Sequence, residues 1–413
     1  MTSSTTNPLA TQLRLPCGQV LPNRLAKSAL SEQLGNADHQ PDLRLQQLYR
    51  SWARGGCGLL VSGNIMVDRE HLGEPGNVVL DTVSELAAFR RWTQAGRENG
   101  TRFWAQLNHP GKQSPILVNR KPVAPSAVGM KSAMGSAFAQ PEALSQSGIL
   151  RIVDQFARSA ERAREAGFDG VQIHAAHGYL VSQFFSPLHN QRRDQWGGSV
   201  ENRARFARRI YAAIRRAVGD DFAIGIKLNS ADFQRGGFSQ EDSLQVSKQL
   251  AADGMDLIEV SGGTYEAAAM VGAMQKASTR EREAYFADYA QALRKDCPAP
   301  IMLTGGFRTQ AGMQAALTDG SADVIGLGRP LCLYPNWPHA LLSQDNAPAC
   351  ELPKLTTGIP ALDKAGLLNV TWYQLQLQRL GRDRQPHPQL SPWRSLLETT
   401  RSLGLGAFMV ARS

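Results

Sequence analysis

One short unit recurs along this chain, and nothing else in the sequence constrains the fold as strongly. A helical stretch ends in a Gly or Asp-Gly turn, a β-branched or apolar run follows, and a Gly-, Ser- or Asn-rich loop comes next. Three instances are near copies: Ala166-Gly167-Phe168-Asp169-Gly170 into Val171-Gln172-Ile173, Asp253-Gly254-Met255-Asp256 into Leu257-Ile258-Glu259-Val260, and Asp319-Gly320-Ser321-Ala322-Asp323 into Val324-Ile325-Gly326-Leu327. Glycine suits the left-handed residue that closes a helix, and an unbroken apolar run suits a strand buried on both faces. Eight such runs occur: Leu25–Leu30, Gly58–Ser62, Arg102–Leu107, Gly170–His174, Ala223–Leu228, Leu257–Ser261, Pro300–Thr304 and Asp323–Leu327. Helical periodicity separates most of them, as in Ile152–Ala166 and Glu201–Val218. Strands alternating with helices demand a parallel sheet, and eight units favour a closed (β/α)₈ TIM barrel. The rival, an open doubly wound sheet, calls for a G-x-G-x-x-G after an early strand, and the sequence has none.

Two segments fall outside the repeat. Pro110–Ser147, rich in Pro, Gly, Ser and Ala, reads as an insertion after strand three, with a hairpin, over the barrel mouth. After strand eight, Pro335–Pro360 is irregular; helical pieces at Thr371–Leu380 and Trp393–Leu403 and an apolar tail, Leu403–Val410, follow. The expected organisation is an N-terminal segment over 1–20, a barrel over 21–341 and a C-terminal helical appendage over 342–413 that packs on the barrel or on a partner.

The chain carries 45 Lys+Arg against 36 Asp+Glu, a net charge of +9, which raises a nucleic-acid reading. Its arginines, however, fall in helical stretches among Ala and Ile, as with Arg203, Arg205, Arg208, Arg209, Arg215 and Arg216. That is the pattern of a solvated helix face, and no nucleic-acid module is recognisable. No apolar run reaches the ~18–20 residues that span a bilayer. Met1–Gln12 has neither the basic start nor the apolar stretch of a signal peptide. Cys17, Cys57, Cys297, Cys332 and Cys350 are scattered without a C-x-x-C pair, which argues against a disulfide framework, a zinc ribbon and a cysteine-held iron–sulfur cluster. The expectation is a cytoplasmic protein acting on a small molecule, with no nucleic-acid or membrane partner; a homo-oligomer stays open.

Barrel chemistry is built at the C-terminal ends of the strands. Those ends hold Ser31, Asn64, Gln106, His109, His174, His177, Tyr179, Lys227, Asn229 and Ser261, while the strand bodies are apolar. Thr304-Gly305-Gly306-Phe307 and Gly326-Leu327-Gly328-Arg329-Pro330 place glycines where a backbone must approach a ligand closely, beside an arginine able to pair two phosphate oxygens. The loops after strands seven and eight are the frequent phosphate site of this fold. In His174-Ala175-Ala176-His177-Gly178-Tyr179, the imidazoles converge only if the strand ends just after His174 and the chain turns. Neutral imidazoles there can donate two hydrogen bonds to a developing oxyanion, and Tyr179 adds a phenolic proton. A metal-dependent hydrolase using His174 and His177 as ligands is the competing reading, although Ser31 and Arg329 stand where such a barrel wants an H-x-H and an Asp. A protein that binds its phosphate-bearing ligand without turnover, as a carrier or sensor, is a third.

Beyond this, the chain from about Leu21 to Leu341 resembles the old yellow enzyme family of FMN-dependent ene-reductases and NADH:flavin oxidoreductases. The resemblance rests on Asn23-Arg24-Leu25-Ala26-Lys27-Ser28-Ala29-Leu30-Ser31, on Ala105-Gln106-Leu107-Asn108-His109-Pro110-Gly111-Lys112 and on Val123-Ala124-Pro125-Ser126. The longest match is His174 to Leu180, continuing through Ser186-Pro187, Asn190, Arg193, Gly197-Gly198-Ser199 and Glu201-Asn202-Arg203. It implies FMN as cofactor and NADH or NADPH as reductant. It further implies that Ala29, Leu30 and Asn64 edge the isoalloxazine, that Ser31 bonds the flavin carbonyl beside the reactive nitrogen, and that Gln106 holds the pyrimidine side. Gly305, Gly306, Gly328 and Arg329 would hold the phosphate, His174 and His177 a substrate carbonyl, and Tyr179 would protonate the α-carbon. Lys227 stands where many relatives have Arg, and Ser31 where Thr or Cys is common. With Cys350 alone and the chain stopping soon after, the cluster-bearing two-cofactor architecture of some relatives is not expected.

Overall fold

The eight expected strands form and close into a barrel. The computed structural model describes residues 7–130, 137–261, 286–359, 363 and 367–403. The strands are β1 (Leu25–Lys27), β2 (Leu59–Met66), β3 (Arg102–Asn108), β4 (Gly170–Ala175), β5 (Ala223–Asn229), β6 (Leu257–Ser261), β7 (Ile301–Thr304) and β8 (Val324–Leu327). Each pairs in parallel with the next, and β8 returns to β1 through Ile325 opposite Leu25, so the sheet has no open end. A short strand, Val78–Val79, adds to the outer half of β2. Around the barrel run α1 (Leu43–Arg54), α2 (Leu86–Gly96), α3 (Gln146–Glu165), α4 (Val200–Val218), α5 (Gln240–Ala252), α6 (Ala287–Arg294), α7 (Gln310–Thr318) and α8 (Arg329–Leu333). Side-chain caps start α3, α4 and α5 at Ser145, Ser199 and Ser239, each accepting a backbone N–H three residues on.

The interior divides into an apolar floor and a polar mouth. Ala26, Leu59, Val61, Trp104, Ala223, Leu257, Met302 and Val324 fill the lower half, with Leu15 and Leu21 from an N-terminal hairpin packed beneath them. Gly170 and Gly225 are small because the Trp104 indole takes their space: a Cβ at either would lie 2.7 Å from it. One turn higher on the same strands, the inward positions become Ser28, Gln106, Gln172, His174, Lys227, Glu259 and Thr304. That change from apolar to polar, on six of the eight strands, is what places chemistry at one end.

Several boundaries differ from expectation. β1 stops at Lys27, where a strand to Leu30 was expected: the Ser28 N–H still bonds the Leu327 carbonyl at 2.9 Å, and the chain then leaves the sheet to form a wall of the mouth. β2 runs on to Met66 because its outer half pairs with Val78–Val79. The insertion after β3 departs from the expected hairpin: Val123–Ala124 pairs with Glu142–Ala143 in parallel. After the barrel come α9 (Leu367–Gly381) and α10 (Pro392–Leu403). α9 lies on α1 so closely that a Cβ at Gly381 would sit 2.9 Å from the Arg44 carbonyl oxygen. The apolar tail expected over Leu403–Val410 lies, beyond Leu403, outside the described residues, as does the segment 271–282 after β6.

Three of the six arginines of α4 pair with carboxylates on neighbouring units: Arg203 with Asp242 at 3.0 Å, Arg208 with Asp253 at 2.6 Å and Arg215 with Asp256 at 2.7 Å. All five cysteines are free thiols, and burial pushes those of Cys57, Cys332 and Cys350 up to about 12. Among the described residues no helix is long and apolar enough to cross a membrane.

Candidate active site

The thirteen residues given a catalytic or cofactor role line one cavity at the C-terminal mouth of the barrel: Ala29, Leu30, Ser31, Asn64, Gln106, His174, His177, Tyr179, Lys227, Gly305, Gly306, Gly328 and Arg329; His109 and Asn229, also read at strand ends, are not among its lining residues. At one end, Gly305 and Gly306 take left-handed backbone angles, φ +119° and +91°, which only glycine holds without strain. The Arg329 guanidinium beside them makes no hydrogen bond or ion pair with any described residue, an uncommitted cation at a glycine-lined wall. A second arginine, Arg308, lines the same end, and the run Gly305-Gly306-Phe307-Arg308 carries that signal in the sequence.

Halfway round the mouth, β4 ends at Ala175 and the chain turns as expected. His177 takes φ +60°, held there by its N–H bond to Asn229 Oδ1 at 3.1 Å, and Gly178 follows at φ +79°. This left-handed pair folds the chain back, so that His177 and Tyr179 both join His174. The His174 ring lies 5.2 Å from that of His177 and 4.7 Å from that of Tyr179, nearly perpendicular to each. Asn64 Nδ2 donates to the Tyr179 hydroxyl at 3.4 Å.

The protons on these rings follow from their other bonds. The Ala176 N–H donates to His174 Nδ1 at 3.3 Å, so the proton of the neutral ring sits on Nε2. His177 Nε2 lies 2.8 Å from the Ser261 hydroxyl, which can donate to it and leave Nδ1–H as the ring's donor. Burial holds the pKa of both rings well below the usual imidazole range, helped by the Lys227 ammonium and, for His174, by His177. Two uncharged rings therefore border the cavity: His174 carries its proton on Nε2, and His177 presents an Nδ1–H when Ser261 donates to its Nε2. A ring whose Nδ1 accepts a main-chain N–H offers a proton at Nε2 where zinc needs a lone pair, which disfavours the metal-ligand reading of His174. The same holds for the cluster Asp68, His71 and His109, whose ligand-type atoms lie within 4.8 Å of one another: His109 Nδ1 accepts the Gly111 N–H at 3.1 Å.

On the floor, Lys227 pairs with Glu259 at 3.1 Å, both almost wholly buried, and Gln106 Nε2 donates to Gln172 Oε1 at 2.8 Å. Ser31 hydrogen-bonds the buried Glu74, whose pKa burial raises and which Gln33 Nε2 also contacts at 2.7 Å. The serine hydroxyl donates to Glu74, which fixes its orientation at the mouth. Glu259 and Gln172 sit inside otherwise apolar strands, where the local sequence gives no sign of a site. The remaining wall comes from α9, through Asn369, Val370, Tyr373, Gln374 and Leu377, which no local motif announces.

The donor set suits a long ligand with an anion at one end and a heteroatom-bearing ring at the other: free guanidinium and close-approach backbone face amide, ammonium and imidazole N–H groups across an apolar middle. FMN has that form, and Gly305, Gly306, Gly328 and Arg329 with Gln106, Asn64 and Lys227 fit it. Fold and site together define a flavin-binding barrel oxidoreductase. The comparisons agree: residues 18–347 match the NADH:flavin oxidoreductase / NADH oxidase family. The chain is 36% identical over 354 residues to the NADH-dependent flavin oxidoreductase iliE of Hypocrea jecorina, covering 80% of this chain and 88% of that protein. It is 36% identical over 409 residues to the NADH-dependent flavin oxidoreductase iccE of Talaromyces variabilis, covering 91% and 98%. The old yellow enzyme homologue from Zymomonas mobilis superposes with a TM-score of 0.70 at 26% identity, over 86% of this chain and 98% of that one. The chain belongs to the NADH:flavin oxidoreductase / NADH oxidase family, and it is an FMN-dependent oxidoreductase with NAD(P)H as reductant.

Proposed function

We propose that the cavity reduces an electron-poor alkene of the enone type, with the residues at the mouth in the following roles. FMN, when bound, supplies the hydride relay between NADH or NADPH and the acceptor. His174 and His177 receive the acceptor's carbonyl oxygen with their two N–H groups, and these are in place before negative charge builds there. Tyr179 holds the proton for the α-carbon, its hydroxyl set by Asn64. Lys227 offsets the negative charge of the reduced ring, and Arg329 holds the phosphate at the glycine-lined end. The observation that carries this reading is the pair of neutral donors produced by the left-handed turn at His177. A carbonyl oxygen becoming an enolate needs hydrogen-bond donors there, not cations that would already be satisfied.

The barrel over 21–341 would then be the catalytic unit and 342–413 an appendage that completes its cavity wall, in a protein acting on small molecules in the cytoplasm. The purified protein should be yellow and release FMN on denaturation; NADH or NADPH should bleach it, and an enone such as cyclohexenone should restore the colour. Bleaching without recovery by any enone sinks the ene-reductase reading and leaves a flavin carrier. Colourless protein with stoichiometric zinc supports the hydrolase instead.

A further inference from the structure

Beneath the mouth, a single carboxylate ties together groups from five strands. Glu259 on β6 is fully buried. Its Oε1 accepts from Lys227 Nζ at 3.1 Å and from the Thr304 hydroxyl at 2.8 Å, and its Oε2 accepts from Gln172 Nε2 at 2.8 Å. Thr304 Oγ1 in turn lies 2.9 Å from Ser28 Oγ. Lys227 and Glu259 are register partners across β5 and β6, and Gln106 and Gln172 across β3 and β4, so the backbone itself sets these spacings.

We propose that Glu259 is a positioning residue for the flavin site, orienting the amide of Gln106 and tempering the charge of Lys227. This rests on the FMN reading above. The orientation follows from donor arithmetic. A carboxylate only accepts, so Gln172 must turn its amide nitrogen toward Glu259 and its oxygen toward Gln106. Gln106 must then spend an N–H on Gln172, and its carbonyl oxygen and remaining N–H are left for the cavity. A ring edge carrying an imide N–H beside a carbonyl needs that acceptor and that donor. On the other branch, Thr304 gives its proton to Glu259 and so can only accept from Ser28. The charge argument is separate: Lys227 stands where it stabilises a reduced, anionic ring, and a carboxylate 3.1 Å away cancels much of that field. A planar arginine has several N–H groups to share between two partners, whereas the point-like ammonium of lysine is held by whichever anion fixes it.

Redox titration of the FMN-loaded protein tests this, together with FMN dissociation followed by flavin fluorescence. Glu259→Gln removes the charge at constant shape and frees the amide chain to flip. The flavin midpoint potential should rise, and FMN should bind about tenfold more weakly, the loss of roughly one hydrogen bond. Lys227→Met should lower the potential, and K227M/E259Q should return it close to the native value. A yellow E259Q variant with native potential and native FMN affinity overturns the inference while leaving the function reading intact; a native protein that binds no FMN overturns both. Should E259Q fail to fold, the double variant decides, because it buries no lone charge: a potential above that of K227M supports the proposal, and equality with K227M ends it.

Discussion

At the residue scale, two histidines behave as donors because of what holds their far sides. His174 has its Nδ1 taken by a main-chain N–H, so removing the ring deletes a donor without disturbing the phosphate end some strands away. His174→Ala should therefore keep its FMN and its visible spectrum while enone reduction falls by about 10²–10³-fold, the usual cost of one oxyanion donor. Steady-state rates beside the spectrum check it, and an unchanged rate refutes the assignment. His109 shows the other face of imidazole burial. Its pKa is pushed down to about 3, by burial first and then by neighbouring His71, against an ordinary value of 6.5. The unfolded chain takes that proton first as pH falls, so the stability is whole above 6.5 and drains away toward 3, at up to about 1.4 kcal/mol per pH unit. Thermal midpoints of His109→Gln should therefore decline less steeply between pH 6.5 and 4 than those of the native protein. Parallel slopes would show that His109 is not the group responsible.

At the element scale, the polar mouth depends on the room that β8 leaves for side chains of its neighbours. A Cβ at Gly326 would fall 1.9 Å from Thr304 Oγ1 and 2.5 Å from Ser28 Oγ, so those hydroxyls occupy the space a side chain would need. Gly326→Ala must push those hydroxyls aside, and overpacking of this kind costs about 1–3 kcal/mol. A lowered denaturant midpoint together with weaker FMN retention is the expected result; a native midpoint would mean that the hydroxyls move aside freely. The eight strands themselves were legible in the sequence, because a strand buried on both faces leaves an apolar run that no partner can alter. The pairing inside the insertion was not. Parallel and antiparallel two-residue pairs have the same local composition, and only the path of the intervening chain separates them.

At the scale of the whole molecule, the appendage is part of the site. α9 puts Tyr373, Gln374 and Leu377 on the cavity wall while burying Trp372, whose indole N–H bonds the Leu390 carbonyl at 2.8 Å. Trp372→Ala should cost about 3–5 kcal/mol, read as a shift in the unfolding midpoint, and should loosen FMN because α9 loses its seat. Loss of stability with FMN affinity untouched would separate the helix from the cofactor site.

The sequence alone determined the strand count, the closure into a barrel and the polar and glycine residues at the strand ends, since each rests on a local pattern; Ala29 and Leu30 came only from the resemblance to the family. Tertiary structure alone decided which proton each histidine carries, that Glu259 lies against Lys227, and that a helix from beyond residue 342 walls the cavity. A hydrogen bond needs both partners within about 3 Å of one another. Apart from the Ala176 N–H that holds His174, the partners lie thirty to three hundred positions apart and meet only once the chain has closed on itself, which no local pattern records.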